Sequence, residues 1–162
     1  IWTLELQTMS LSGHACTHVV SAFGCPLNVG QSPAAFCILR GALVMIGGED
    51  VECLPVPAIH RYDFGARRWS LMCDMGSTEL HYSAVVWEGK LVVAGTHTCE
   101  LYDPTTQQWG PMPRLPLRRT WAKLVAGGPA EQELFLVGGY DLDQRAPSAE
   151  VHRFSAASQA WE

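Results

Sequence analysis

Charge is scarce in this chain, and long hydrophobic runs are absent. Only 17% of its 162 residues are charged while 48% are apolar, so it can build a core and is not a disordered segment. No unbroken apolar stretch is long enough to span a bilayer, and no basic, apolar, small-residue leader opens the chain, so neither residue pattern points to a membrane. The first residue is Ile1 and not methionine, which leaves room for a missing upstream leader. Positive charge is short as well: 11 Lys and Arg stand against 16 Asp and Glu, for a net charge of -5. A surface that neutralises phosphates is not built from this balance, which argues against nucleic acid as a partner. The six cysteines, Cys16, Cys25, Cys37, Cys53, Cys73 and Cys99, form no CxxC. A chain this apolar needs no disulfide framework, and reduced thiols in a cytoplasmic protein are the reading they support. Also missing are a GxSxG elbow, a P-loop and a dinucleotide fingerprint. No sustained 3.6-residue stripe appears, so almost no helix is expected.

What the chain does have is an internal repeat. Residues 91–109 read LVVAGTHTCELYDPTTQQW: an apolar run ending on Gly95, a polar gap, a short run ending in Tyr102-Asp103, then Trp109. The same phrase appears as LVMIGG followed by RYDFGARRW, and as LFLVGG followed by HRFSAASQAW. From residue 33 onward, each unit supplies four short apolar runs separated by turn residues, as an antiparallel four-stranded sheet requires. The first unit has strands expected at 35–39, 42–46, 59–63 and 68–72. In the second they fall at 82–87, 90–94, 99–102 and 108–109, and in the third at 120–125, 134–137, 149–154 and 160–161. Asp103-Pro104 suits a type I turn, because proline presets the required φ.

Spacing separates what is fixed from what is free. Tyr62 to Trp69, Tyr102 to Trp109 and Phe154 to Trp161 are each seven residues apart. The gap from glycine to aromatic is 15 residues for Gly47 to Tyr62, 7 for Gly95 to Tyr102 and 16 for Gly138 to Phe154. A hairpin therefore holds the third and fourth strands in register, whereas the second-to-third connection varies as a loop does.

A glycine pair closing a strand, then an aromatic, then Trp seven residues later, repeated at about forty to fifty residues, resembles the kelch repeat. The resemblance covers residues 33–162, with Trp2 standing where the last strand of a preceding repeat would end. Gly95-Thr96 departs from it by losing the second glycine, and Phe154 by replacing Tyr. It implies an all-β fold, a partial kelch-type β-propeller of about three four-stranded antiparallel blades. The expected division is a remnant at 1–8, an irregular segment at 9–31, and blades at 32–75, 76–113 and 114–162. Three blades do not close a ring of four to eight, so the chain is expected to be a fragment of a larger propeller or to associate with another copy.

In such blades the first-to-second and third-to-fourth turns share one side. The other side holds the longer connections, here 49–57, 96–98, 140–148, 73–80 and 111–119. These loops carry Arg114, Arg118, Arg119 and Arg145 with Tyr140, Asp141, Asp143, Glu49, Asp50 and Glu52. Arginine recognises carboxylates and phosphates through a fork, and Arg and Tyr dominate interface hot spots. A protein or peptide ligand is the expected partner, and the kelch resemblance implicates Arg118 or Arg119, which open a first strand. It also implies an adaptor of a cullin-type ubiquitin ligase or an actin-binding protein, without catalysis. The competing class is a kelch-propeller enzyme such as a copper oxidase, with its chemistry in blades outside this chain.

Metal chemistry finds thin support. His14, Cys16 and His18 alternate and would share one strand face, but no second ligand cluster accompanies them, as zinc sites normally require. His97-Thr98-Cys99 reads as a loop entering a strand. Cys53 lacks a basic neighbour to activate it. Neither a metal nor a cofactor is expected.

Overall fold

The computed structural model describes residues 35–162 except Val51, Cys53, Leu80 and residues 129–131. The expectations placed on Trp2, on residues 1–31 with His14, Cys16 and His18, and on Cys53 lie outside the described residues. Fifteen strands and no helix make up the described chain. Twelve of them form three antiparallel sheets in simple sequence order. The first sheet is β1 (Ala35–Leu39), β2 (Ala42–Ile46), β3 (Ala58–Asp63) and β4 (Arg68–Asp74). The second is β5 (Ser83–Trp87), β6 (Lys90–Ala94), β7 (Cys99–Asp103) and β8 (Gln108–Pro111). In the third, β10 (Lys123–Gly127), β11 (Glu133–Val137), β14 (Val151–Ser155) and β15 (Ala160–Trp161) pair in that order.

The sheets are equivalent, residue for residue. Tyr62 pairs with Trp69, Tyr102 with Trp109 and Phe154 with Trp161 across the last hairpin of each. Their ring centroids lie 5.2, 5.2 and 5.5 Å apart. The three glycines match as well: the N–H groups of Gly47, Gly95 and Gly138 donate to the carbonyls of Ala58, Thr98 and Glu150, closing the second and third strands together. Where the glycine is doubled, both members have positive φ, at 64° and 115° for Gly47-Gly48 and 60° and 99° for Gly138-Gly139. Neither Gly95 nor Thr96 adopts positive φ. The Glu79 carboxylate instead accepts the backbone N–H groups of Thr96 and His97, so the tight loop of the second sheet needs no second glycine.

The period-2 alternation of each strand supplies apolar side chains to both faces, and the sheets stack through them. Between the first and second lie Val44, Ile46 and Ile59 against Leu91, Val93 and Tyr102. Between the second and third lie Val92 and Cys99 against Leu124, Leu134, Leu136 and Phe154. The Tyr102–Trp109 and Phe154–Trp161 pairs thus each face the sheet before their own. Trp87 extends this packing, meeting Phe154 edge-on at 5.6 Å and donating its indole N–H to Gln132 O. β5 packs beside both β1 and β10, so the leading strands gather at one edge of the stack. This is the arrangement of propeller blades around an axis. The outer face of the third sheet is uncovered, with Val125, Val137 and Val151 exposed.

Two features differ from the sequence expectation. The first strand of the third sheet begins at Lys123 and not at 120, because Trp121 takes φ 58° and breaks the extended chain. Residues 140–148 are not an irregular loop. β12 (Tyr140–Asp141) and β13 (Ala146–Pro147) form a hairpin, and β9 (Arg119–Thr120) joins it as a third strand. That pairing satisfies backbone groups which a surface loop would leave to water.

The last hairpin of each sheet is tied by a short side chain. Asp63 accepts N–H groups from Gly65 and Ala66, Asp103 from Thr105, and the Ser155 hydroxyl from Ser158. The Ala66 and Gly65 bonds hold the Asp63 carboxyl below its ordinary range, and the Thr105 bond does the same for Asp103. A carboxyl lowered by folding contributes stability above its unfolded pKa of about 3.9, and loses it as pH falls through the folded value. The Asp63→Asn/Asp103→Asn double variant keeps the turn geometry, since Asn bonds its backbone similarly. In urea unfolding it is expected to lose less stability than the parent on acidification below about pH 4; equal losses contradict the assignment.

Candidate functional site

The rim opposite these hairpins carries the second-to-third connections and the crossings between sheets. Part of it is the three-stranded β9–β12–β13 unit, which the Arg119 side chain fixes from beneath. Arg119 is fully buried, donating Nη1 to Gly138 O at 3.0 Å and Nη2 to Glu150 Oε2 at 3.1 Å, with His152 Nε2 at 3.2 Å from the same nitrogen. Glu79 holds the equivalent place ahead of the second sheet, where its carboxylate grips the same connection with the opposite charge. Ahead of β5 and of β10, a side chain thus anchors the loop leaving the second strand of the sheet.

Of the residues expected at a binding face, the structure gathers six on or beside this unit. Arg118 and Asp143 are exposed and paired at 3.6 Å, with side chains 57% and 56% accessible. Such a pair contributes little to stability and stays available to a partner. Tyr140 is half-buried, its ring 6.2 Å from that of Trp121. Asp141 is buried, accepting N–H groups from Asp143 and Gln144 and so turning the hairpin. Arg119, whose donors all point into the protein, positions this surface and is not part of it. Arg145 is exposed at the hairpin turn with φ 54°.

The others are scattered. Glu49 is buried in a bridge to Pro55, and Asp50 is half-buried, accepting N–H groups from Glu52 and Leu54. Both serve the 49–57 loop itself, while Glu52 is exposed. Among the described residues, no hydrogen bond or ion pair joins Glu49 or Asp50 to the arginines. Arg114 stands apart, exposed beside a shallow hollow lined by Glu100, Trp109 and Met112.

Residue-type reasoning passed over Trp121 and His81. They occupy matching positions, each two residues ahead of a leading strand and each with φ 58°. Trp121 is 58% exposed and its ring meets His81 edge-on at 5.1 Å. Aligning the units on their leading strands would have shown an aromatic at both places.

The three cysteines among the described residues are poor nucleophiles. Burial pushes the thiols of Cys37 and Cys99 up to about 12, so neither supplies a thiolate at neutral pH. Burial also raises Cys73. Among the described residues no three His, Cys, Asp or Glu side chains are grouped to hold a metal ion, and no helix is long and apolar enough to cross a membrane.

Sheet order, aromatic register and blade-on-blade packing define the class as an all-β stack of four-stranded antiparallel blades, as in part of a β-propeller. The sequence is 28% identical over 104 residues to Kelch-like protein 41b of Danio rerio, an alignment spanning 60% of this chain and 17% of that protein. The likeness is distant and covers a small part of the relative's length. No protein-family model matches the chain.

Arg118 and Arg119, adjacent in sequence, are expected to respond in opposite ways. Arg119→Met leaves the Gly138 carbonyl without its donor and should cost about 1–3 kcal/mol in urea unfolding. Arg118→Met should stay within about 0.5 kcal/mol. Equal effects would contradict the positioning role of Arg119.

Proposed function

We propose that this chain is a non-catalytic protein-binding module, a segment of a kelch propeller with blades at 32–75, 76–113 and 114–162. It takes a protein or peptide on the rim formed by the second-to-third connections and the inter-blade crossings. The observation that carries this reading is the β9–β12–β13 unit: an exposed Arg118–Asp143 pair and Tyr140 held on a hairpin that Arg119 locks to the blade. Binding residues concentrate on loops fixed by a rigid scaffold, and a fixed loop surrenders little entropy on association. Arg145 extends the surface, Arg114 and Asp50 on other connections of the same rim add further contacts, and Asp141 and Glu49 keep their own loops in shape.

The uncovered apolar face of the third sheet supports further blades, or another copy of the chain, completing the ring. Within a larger protein of the kelch-like kind, the module would select substrates for a cytoplasmic cullin-type ubiquitin ligase. That finer role rests on the distant relationship alone.

Affinity capture from cell lysate with the parent and with Arg118→Glu tests the binding reading. The parent is expected to retain one or more stable protein partners that Arg118→Glu loses with its melting temperature unchanged. Identical sets of partners, or no partner for the parent, would overturn it.

A further inference from the structure

Eight described residues other than glycine have positive φ. Six lie in hairpin turns: Arg40, Arg67, Glu88, Gln107, Arg145 and Gln159. There the left-handed conformation serves the reversal of the chain. His81 and Trp121 are different, because each sits at the entry to a leading strand and not at a hairpin. A bulky residue with φ near 58° is a costly outlier, and the surroundings must impose it. At Trp121 they visibly do so. A Cβ on Gly139 would lie 2.7 Å from Thr120 O and 2.9 Å from Ala122 N, so the glycine backbone is packed directly against the kinked segment.

The kink directs the indole out of the core. Trp121 is 58% exposed although Ala122 beside it is buried. His81 and Tyr140 flank it at 5.1 and 6.2 Å, with ring planes inclined at 73° and 67°. Three rings, two of them steeply inclined to the indole between them and the set drawn from two adjacent blades, make an open aromatic corner. Strain spent on exposing a large apolar ring, in place of burying it, is the mark of a binding surface.

The charges around the corner select the occupant. Glu79, two residues before His81, bonds through its carboxylate to backbone N–H groups. Among the described residues it has no cationic partner, so its charge is uncancelled. On the other side Arg118 is matched by Asp143 at 3.6 Å and Arg119 by Glu150 at 3.1 Å, while Arg145 lies at the turn of the β12–β13 hairpin, away from the strand end that carries Tyr140. The whole chain carries a net charge of -5. An electron-rich indole face in a negative field attracts a cation.

We propose that the Trp121–His81–Tyr140 corner binds an arginine or lysine side chain of the partner through a cation–π contact. This deepens the protein-binding reading of the same rim and rests on it.

The test uses a displayed random-peptide library selected on the whole chain, followed by binding measurements on individual winners. Winners are expected to be enriched in arginine or lysine. Replacing that residue by citrulline or norleucine should weaken binding by about two- to thirtyfold, the range of an exposed to a desolvated cation–π contact. Trp121→Ala should cause a similar loss, and Trp121→Phe a smaller one. Acidic or uncharged winners that depend on Arg118 but ignore Trp121 would overturn this proposal and leave the binding rim standing. A library that yields no winner, or winners indifferent to both Arg118→Glu and Trp121→Ala, counts against both.

Discussion

The structure depends on one contact made three times: an aromatic ring on the third strand against a tryptophan on the fourth, seven residues later. The hairpin fixes their spacing, and the cross-strand pairing brings the rings to 5.2–5.5 Å. In the second and third sheets the same pair lies against the sheet before its own. A single side-chain pair therefore closes a blade and joins it to its neighbour. Aromatic residues suit both tasks, since they bury large areas and gain further from edge-on contact. Trp161 adds a polar anchor by donating its indole N–H to Pro113 O on the crossing from the second sheet.

This constraint leaves the opposite rim free to vary. Once the strands are held through their hairpin ends, the connections leaving the second strand can be four residues long or a folded hairpin without disturbing the stack. In the second and third sheets the protein secures this connection individually. Glu79 uses a carboxylate to grip N–H groups, and Arg119 uses a guanidinium to grip a carbonyl and Glu150. Equivalent positions thus solve the same problem with opposite charges. The face is rigid where these anchors act, which is what a recognition surface requires.

The sequence carried the repeating part of this plan openly. Glycine closing a strand and aromatics in fixed register are local rules, and each strand pairing they implied is present in the three sheets. The rim was harder to read for physical reasons. Arg118 and Arg119 are indistinguishable as residue types, yet Arg119 opens β9 with its side chain buried while Arg118, just ahead of the strand, stays exposed. Residues 140–148 contain turn formers that suit an irregular loop equally well, and only pairing with β9 makes them a hairpin. Trp121 breaks its strand where the Gly139 backbone packs against its neighbours Thr120 and Ala122, a long-range contact that no local pattern announces.

If the aromatic pairs do join blade to blade, Trp87 on the second sheet and Phe154 on the third must be energetically coupled. A double-mutant cycle of Trp87→Ala and Phe154→Ala, read by urea unfolding, measures that coupling directly. Their edge-on contact at 5.6 Å predicts about 0.5–1.5 kcal/mol of interaction energy. Additive effects to within about 0.3 kcal/mol would mean that the two residues do not meet, and the stacked-blade account would fail.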